Sequence, residues 1–154
     1  HRLGTKELES ACLIVEEVAE ASVVPLSDEI KGKVPDIYVS LKLGYDATKV
    51  PDKIIKVIES EIGKIARPKH IYVVPDMPKT RSGKIMRRVL AAISNGSDVG
   101  DVTTLANPDV VDEIQILEES NTSAKCFPEY KTVIGFVLDD MTNALKIRVC
   151  SIVA

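Results

Sequence analysis

The sequence predicts a mixed helix–strand fold, α+β or α/β. Apolar residues recur at helical spacing in several segments, and β-branched or alternating runs lie between them. Helix-like and strand-like segments intermingle along the chain instead of forming separate blocks. The 154 residues, 45% hydrophobic and 28% charged, suffice for one ordinary domain. With four Tyr, two Phe and no Trp, its core must be aliphatic.

Thr5 is placed to cap a helix from Lys6, with Leu8, Ala11, Cys12 and Val15 on one face. Residues 18–25 read as a buried strand and 28–32 as a polar turn. In 36–43, Ile37, Val39, Leu41 and Leu43 alternate with Tyr38, Ser40 and Lys42, which predicts a strand with one buried face. Pro51 suits a first helical turn, Ile54, Ile55, Ile58 and Ile62 share a face, and Gly63 ends that helix. Residues 70–74 form a short strand stopped by Pro75.

Residues 75–84 read as an exposed loop of turn formers and cations. Ile85, Val89, Ala92 and Ile93 make a helical stripe with Arg87 and Arg88 off it, closed by Asn95-Gly96. Asn107 is the expected cap of a last helix, Pro108 its first residue, and Val110, Val111, Ile114 and Leu117 its apolar face. Beyond it, the apolar runs 132–138 and 145–153 flank a polar stretch and predict a hairpin with a longer loop.

Composition excludes several functions. A net charge of −3 argues against a general nucleic-acid or membrane binder, and no window approaches 18 uninterrupted apolar residues. Cys12, Cys126 and Cys150 are widely spaced and odd in number, which fits free thiols in a reducing, cytoplasmic-type compartment better than a disulfide framework. His1 and His70, with no close Cys/His spacing, leave no credible zinc site. The start at His1, without Met or a signal-peptide pattern, reads as a fragment of a longer chain.

The chemistry concentrates in residues 78–88, where Lys79, Arg81, Lys84, Arg87 and Arg88 supply five cations among eleven residues and no acid. Gly83 lets the loop turn sharply and lets a ligand approach the backbone. Lys84, at the junction with a helix, is a point charge on a long stem that reaches phosphate or carboxylate. A solvated basic turn and an RNA-binding or other anion patch remain alternatives. A P-loop is excluded, because Pro78 and Ile85 stand where it needs a glycine and a hydroxyl residue.

PKTRSGK at 78–84 followed by IMRR closely resembles the C-terminal lysine motif of adenylate-forming enzymes in the acetyl-CoA synthetase branch. Four further segments resemble the same branch in order. They are His1-Arg2-Leu3-Gly4-Thr5 with Glu7 and Glu9-Ser10-Ala11; Val18-Ala19-Glu20-Ala21 with Val23-Val24 and Ile30-Lys31-Gly32; Glu61-Ile62-Gly63 with Ile65-Ala66 and Pro68; and GDVTTLANP at 100–108 with Val110-Val111. The resemblance covers residues 1–117; 118–154 form an unassigned tail, either a hairpin extension or an out-of-frame or intron-derived translation.

The resemblance implies an α+β fold, a small mixed sheet with flanking helices, which is the mobile C-terminal domain of an adenylate-forming ligase. Such an enzyme joins acetate or another short carboxylate to ATP, with Mg2+, as acetyl-AMP, then passes the acyl group to CoA. It implies that Lys84 is the adenylation lysine, that Arg2 contacts the nucleotide, and that the backbone carbonyls of Leu13, Val15 and Val18 fall at a metal site. Val15 stands where the family usually has His. Glu59 replaces an arginine that contacts CoA, a charge reversal near which Arg67 and Lys69 lie in sequence. It also implies reversible acylation of Lys84 by a lysine acyltransferase and deacylase. The implied partner is an N-terminal adenylation domain, without which this chain is expected to be inactive. The alternative is a non-catalytic regulatory or interaction module acylated at Lys84.

Overall fold

The computed structural model describes residues 4–123, with side chains over 4–120, and the backbone of three later strands. The chain runs α1 (Thr5–Ile14), β1 (Val18–Asp28), β2 (Gly32–Leu41), α2 (Val50–Glu61), a 3-10 turn (Lys64–Ala66), β3 (His70–Val73), α3 (Arg87–Ser94) and α4 (Asp109–Ser123). Strands β4 (Lys131–Ile134), β5 (Val137–Asp139) and β6 (Ala144–Lys146) follow. The main sheet has the order β1-β2-β3-β4, with β1–β2 antiparallel and the other two pairs parallel. This is the expected α+β class with a small mixed sheet and flanking helices.

Helix α1 starts one residue earlier than its pattern predicts. Thr5 lies inside it, Gly4 is the N-cap, and no side chain caps it. The Gly4 carbonyl accepts the amides of Glu7 and Leu8 at 3.1 and 3.4 Å. The polar turn at 28–32 closes the β1–β2 hairpin as expected. Asp28 Oδ1 accepts the amides of Ile30 and Lys31, both at 3.0 Å, while its Oδ2 accepts Lys69 Nζ at 2.8 Å. Gly32 follows with a φ of 80°, which favours glycine.

Strand β2 departs from expectation: both of its faces are buried. Ile37 and Val39 pack into a first core with Leu8, Cys12, Ile54 and Ile58. Tyr38 packs into a second core with Tyr72, Met77, Leu90, Ile93 and Ile114. The alternation of apolar with Tyr and Ser mimics a wet face, but the Tyr38 hydroxyl is satisfied by Ser94 Oγ at 2.7 Å. Its ring stacks on Tyr72 at 4.9 Å between centroids. Leu43 lies past the strand end, fully exposed.

The α2 reading holds, with Pro51 in its first turn and Ile54, Ile55 and Ile58 buried. Helix α3 begins at Arg87, two residues after the predicted stripe, and buries Val89, Leu90 and Ile93, whereas Ala92 is only half-buried. Helix α4 buries Val110, Val111, Ile114 and Leu117 and continues to Ser123, past residue 117 where the resemblance ends. The run 132–138 divides: β4 joins the main sheet beside β3, and only β5 pairs with β6 as an antiparallel hairpin. Residues 147–154 lie outside the described residues.

Two outer amides of the edge strand β1 are engaged by side chains. Val23 N–H is accepted by Glu9 Oε1 at 3.1 Å and Ser27 N–H by Asn95 Oδ1 at 2.9 Å. Pro25, of the same parity, has no amide to offer, and its carbonyl accepts Asn95 Nδ2 at 3.0 Å. Occupation of positions 23, 25 and 27 blunts this edge as a template for another strand.

The loop at 75–86 is anchored, not freely exposed. Met77 and Pro78 are buried. Asn107, expected to cap α4, instead spends its side chain on this loop. Its Nδ2 donates to Met77 O at 2.7 Å and Asp76 Oδ2 at 3.0 Å, and its Oδ1 accepts Lys79 N–H at 3.0 Å. The Asn107 carbonyl receives Val110 N–H at 3.2 Å.

Two outcomes are expected. Asn107→Ala strands the Met77 carbonyl and should cost about 1–3 kcal/mol in urea denaturation; a change inside experimental error would remove Asn107 as the loop's anchor. Asp28 is held below the usual carboxylate range, first by Lys69 and then by the Lys31 and Ile30 amides. Its contribution is therefore present above about pH 4 and lost as pH falls further. In a melting-temperature series on lowering pH, Asp28→Asn should lose part of the acid-side decline, and an unchanged slope would contradict this.

Candidate functional site

The five cations of residues 78–88 do not share one environment. Residues 79–85 fold back as a tight turn closed by a Lys79–Ile85 antiparallel bridge. Thr80 N–H donates to Lys84 O at 2.8 Å, Gly83 N–H to Thr80 O at 2.9 Å, and Met86 N–H to Pro78 O at 2.8 Å. Thr80 Oγ1 accepts Lys84 N–H at 3.1 Å and lies 2.9 Å from Ser82 Oγ. Gly83 has a φ of 84°, with nothing within 4 Å of where a Cβ would sit. Glycine is needed there for backbone conformation. On the outer side, Thr80 bridges to Leu105 and Lys79 O accepts Ala106 N–H at 2.8 Å, so the buried Leu105 roots the turn in the second core.

Three cations are consumed by structure. Lys79 Nζ lies 2.7 Å from Glu20 Oε1 and 3.1 Å from Asp76 Oδ1, and Glu20 first among these partners raises its pKa. Arg87 binds Glu9 through Nε and Nη2 at 2.8–3.1 Å. Arg88 donates to the carbonyls of Val99 and Asp101, both at 2.6 Å. Arg81 and Lys84 are exposed at the tip, and neither side chain has a hydrogen bond or ion pair among the described residues. Lys84 is set not at a helix start but on the return limb of the turn, three residues before α3. The arrangement presents an unneutralised ammonium on a braced backbone, which is suited to attracting an anion.

Arg2 lies outside the described residues. The predicted metal positions offer backbone only. Leu13 is half-exposed, Val15 and Val18 belong to the first core, and the Val15 carbonyl already accepts Val18 N–H at 3.0 Å. No cluster of three or more His, Cys, Asp or Glu residues suited to a metal occurs among the described residues. These positions would bring only backbone carbonyls to a cation, one of them already engaged by Val18 N–H, and no chemical step is routed through one there.

Glu59 is brought to Arg67, whose Nε and Nη2 lie 2.9 and 2.6 Å from Glu59 Oε1. Lys69 is drawn away to Asp28. The reversed charge at position 59 is thus paired. Cys12 is buried without a disulfide, its pKa pushed up to about 12 by burial and the Glu9 charge, so it stays a neutral thiol. Cys126 and Cys150 lie outside the described residues.

Sequence reading missed Glu9, Glu20, Asp76 and Asn107 as the groups that hold the turn. Most of their contacts span 28 to 78 residues, beyond any local pattern.

Comparison with known proteins agrees with this geometry. The family described as AMP-binding enzyme C-terminal domain matches residues 7–84. The acetyl-coenzyme A synthetase of Pyrobaculum arsenaticum is 51% identical over 114 residues, 73% of this chain and 17% of that protein. That of Penicillium chrysogenum is 46% identical over 116 residues, 74% of this chain and 17% of that protein. The chain therefore spans less than a fifth of the length of these curated relatives. A Brucella canis acyl-CoA synthetase superposes with a TM-score of 0.57 at 30% identity, over 61% of this chain and 18% of that one. An amide bond synthetase from Marinactinospora thermotolerans, at 20% identity and a TM-score of 0.54 over 58% of this chain and 18% of its own, shares the fold. The braced lysine turn, the small mixed sheet and these matches together show that the chain belongs to the AMP-binding enzyme C-terminal domain family, within the adenylate-forming superfamily.

Proposed function

We propose that this chain is the catalytic-lysine domain of an acetate–CoA ligase (AMP-forming), with Lys84 as the adenylation lysine. The observation that carries the reading is the selective neutralisation of the cation cluster. Lys79, Arg87 and Arg88 are tied down, while Lys84 is exposed at the tip of a turn fastened at both ends. The naming of the 46–51% identical relatives as acetyl-coenzyme A synthetases supports the substrate class.

When a carboxylate approaches the α-phosphate of ATP, two anions are forced together. An ammonium placed between them lowers that repulsion and follows the charge as it moves onto the pyrophosphate leaving group. Lysine suits this task because its long stem lets a point charge shift between oxygens. Arg2 is assigned to the nucleotide, where a guanidinium fork matches phosphate oxygens. Mg2+ enters with ATP as part of the substrate. The second step passes acetyl from acetyl-AMP to the CoA thiol; Glu59, paired with Arg67, repels the CoA phosphates less than a bare carboxylate would.

The larger adenylation domain supplies the carboxylate pocket and is the required partner, so this chain alone is inactive. Acylation of Lys84 by a lysine acyltransferase, reversed by a deacylase, would remove the charge and stop adenylation. The buried free Cys12 suits a reducing, cytoplasmic setting.

The test supplies the adenylation domain of an acetyl-CoA synthetase in trans or as a fusion, with ATP and acetate, and follows acetate-dependent pyrophosphate exchange. Addition of this chain should raise exchange. Lys84→Ala and the acyl mimic Lys84→Gln should lower it by about 100-fold or more, the scale of a lost charge-stabilising group. Thioester formation from preformed acetyl-AMP should persist. Equal exchange with wild-type and Lys84→Ala would leave the chain a non-catalytic module, for which an exposed Lys84 serves only as a modification site.

A further inference from the structure

Glu9 is the acidic group that joins the two faces of the sheet. Helix α1 packs in the first core and α3 in the second, so a link between them must pass round the β1 edge. The Glu9 side chain makes that link while only 12% exposed. Its Oε1 accepts the Val23 amide of β1 at 3.1 Å, and its two oxygens receive Arg87 Nη2 at 2.9 and 2.8 Å, with Nε at 3.1 Å. Arg87 is the first residue of α3 and lies three residues after Lys84. Met86, between them, donates its amide to Pro78 O at 2.8 Å and so closes the base of the turn.

The other limb is held separately by Lys79 with Glu20 and Asp76, and by Asn107. Glu20 also belongs to β1, so both limbs are referred to the same strand. Without the Glu9 link, the return limb carrying Lys84 keeps its own turn hydrogen bonds, the partial packing of Ile85 and Met86 on the second core and the start of α3, but loses its charged tie to β1.

We infer that Glu9 is a positioning residue for Lys84: its carboxylate fixes the start of α3 against β1 and α1, and through Arg87 and Met86 sets where the lysine limb stands. A charged group suits this task because a bidentate carboxylate–guanidinium pair constrains orientation as well as distance, and partial burial limits its screening. Glu9 touches no substrate; it acts through Arg87. The kinetic side of this assignment rests on Lys84 being the adenylation lysine, whereas the positioning itself is a property of this chain.

Hydrogen exchange on the chain tests the positioning directly. In Glu9→Ala and Arg87→Ala, the amides of Thr80, Gly83 and Met86 should exchange about fivefold faster or more, while the Val74 amide, bonded to Val39 O in the sheet, keeps its protection. The double variant should be no faster than either single one, because both remove the same link. Glu9→Gln, which keeps an acceptor for Val23 but loses the charge, should fold and fall between wild type and Glu9→Ala.

Pyrophosphate exchange in the assembled enzyme should then show a lower kcat with a nearly unchanged KM for ATP. Unchanged turn amides, or equal acceleration at Val74, would reduce Glu9 to a general stabilising residue and overturn the inference. Lys84→Ala, run alongside, separates the two failures. If it leaves exchange of pyrophosphate unaffected, the catalytic reading falls and the amide result still decides the role of Glu9.

Discussion

Strand β2 is buried on both faces, and the rest of the domain depends on it. One face sends Ile37 and Val39 into the core made with α1 and α2; the other sends Tyr38 into the core made with α3 and α4. Burial on both sides requires the phenol of Tyr38 to find a partner, and Ser94 provides it from the last residue of α3. Buried Asp36, its Oδ1 2.8 Å from His70 Nδ1, extends the same requirement to the start of β3. The strand thus separates two aliphatic cores, and Ser94 and His70 meet the polar groups of Tyr38 and Asp36 Oδ1.

Two cores on opposite sides of a thin sheet need lateral ties, and the edge of β1 is where these are made. Glu9 and Asn95 each meet an outer amide of that strand and at the same time hold another element. Asn95 joins β1 to the end of α3; Glu9 joins it to the start. A potential site of unwanted strand pairing becomes the place where α3 is located at both ends. The lysine turn inherits its position from this arrangement.

The electrostatic consequence is selective. A cluster of five cations would repel itself and bind anions without discrimination. Glu9, Glu20, Asp76 and two backbone carbonyls absorb three of the five, leaving Arg81 and Lys84 at the exposed tip. The same logic applies at Glu59, where Arg67 pairs with a charge that would otherwise face solvent bare.

The sequence by itself determined the α+β class, the helical faces of α2 and α4, the hairpin turn at 28–32, and Lys84 within an ordered series of family motifs. These are local quantities: periodicity, turn chemistry and contiguous identity are written within a few residues. Tertiary structure alone decided that Tyr38 is buried, that Asn107 anchors a loop instead of capping its helix, that α3 starts at Arg87, and which cations stay unpaired. Most of these depend on a partner 28 to 78 residues away, such as Ser94, Met77 or Glu9, although Arg88 is taken by carbonyls only 11 and 13 residues on. Residue type alone cannot show whether a charge or a hydroxyl will meet its complement, because that depends on which elements the sheet brings together.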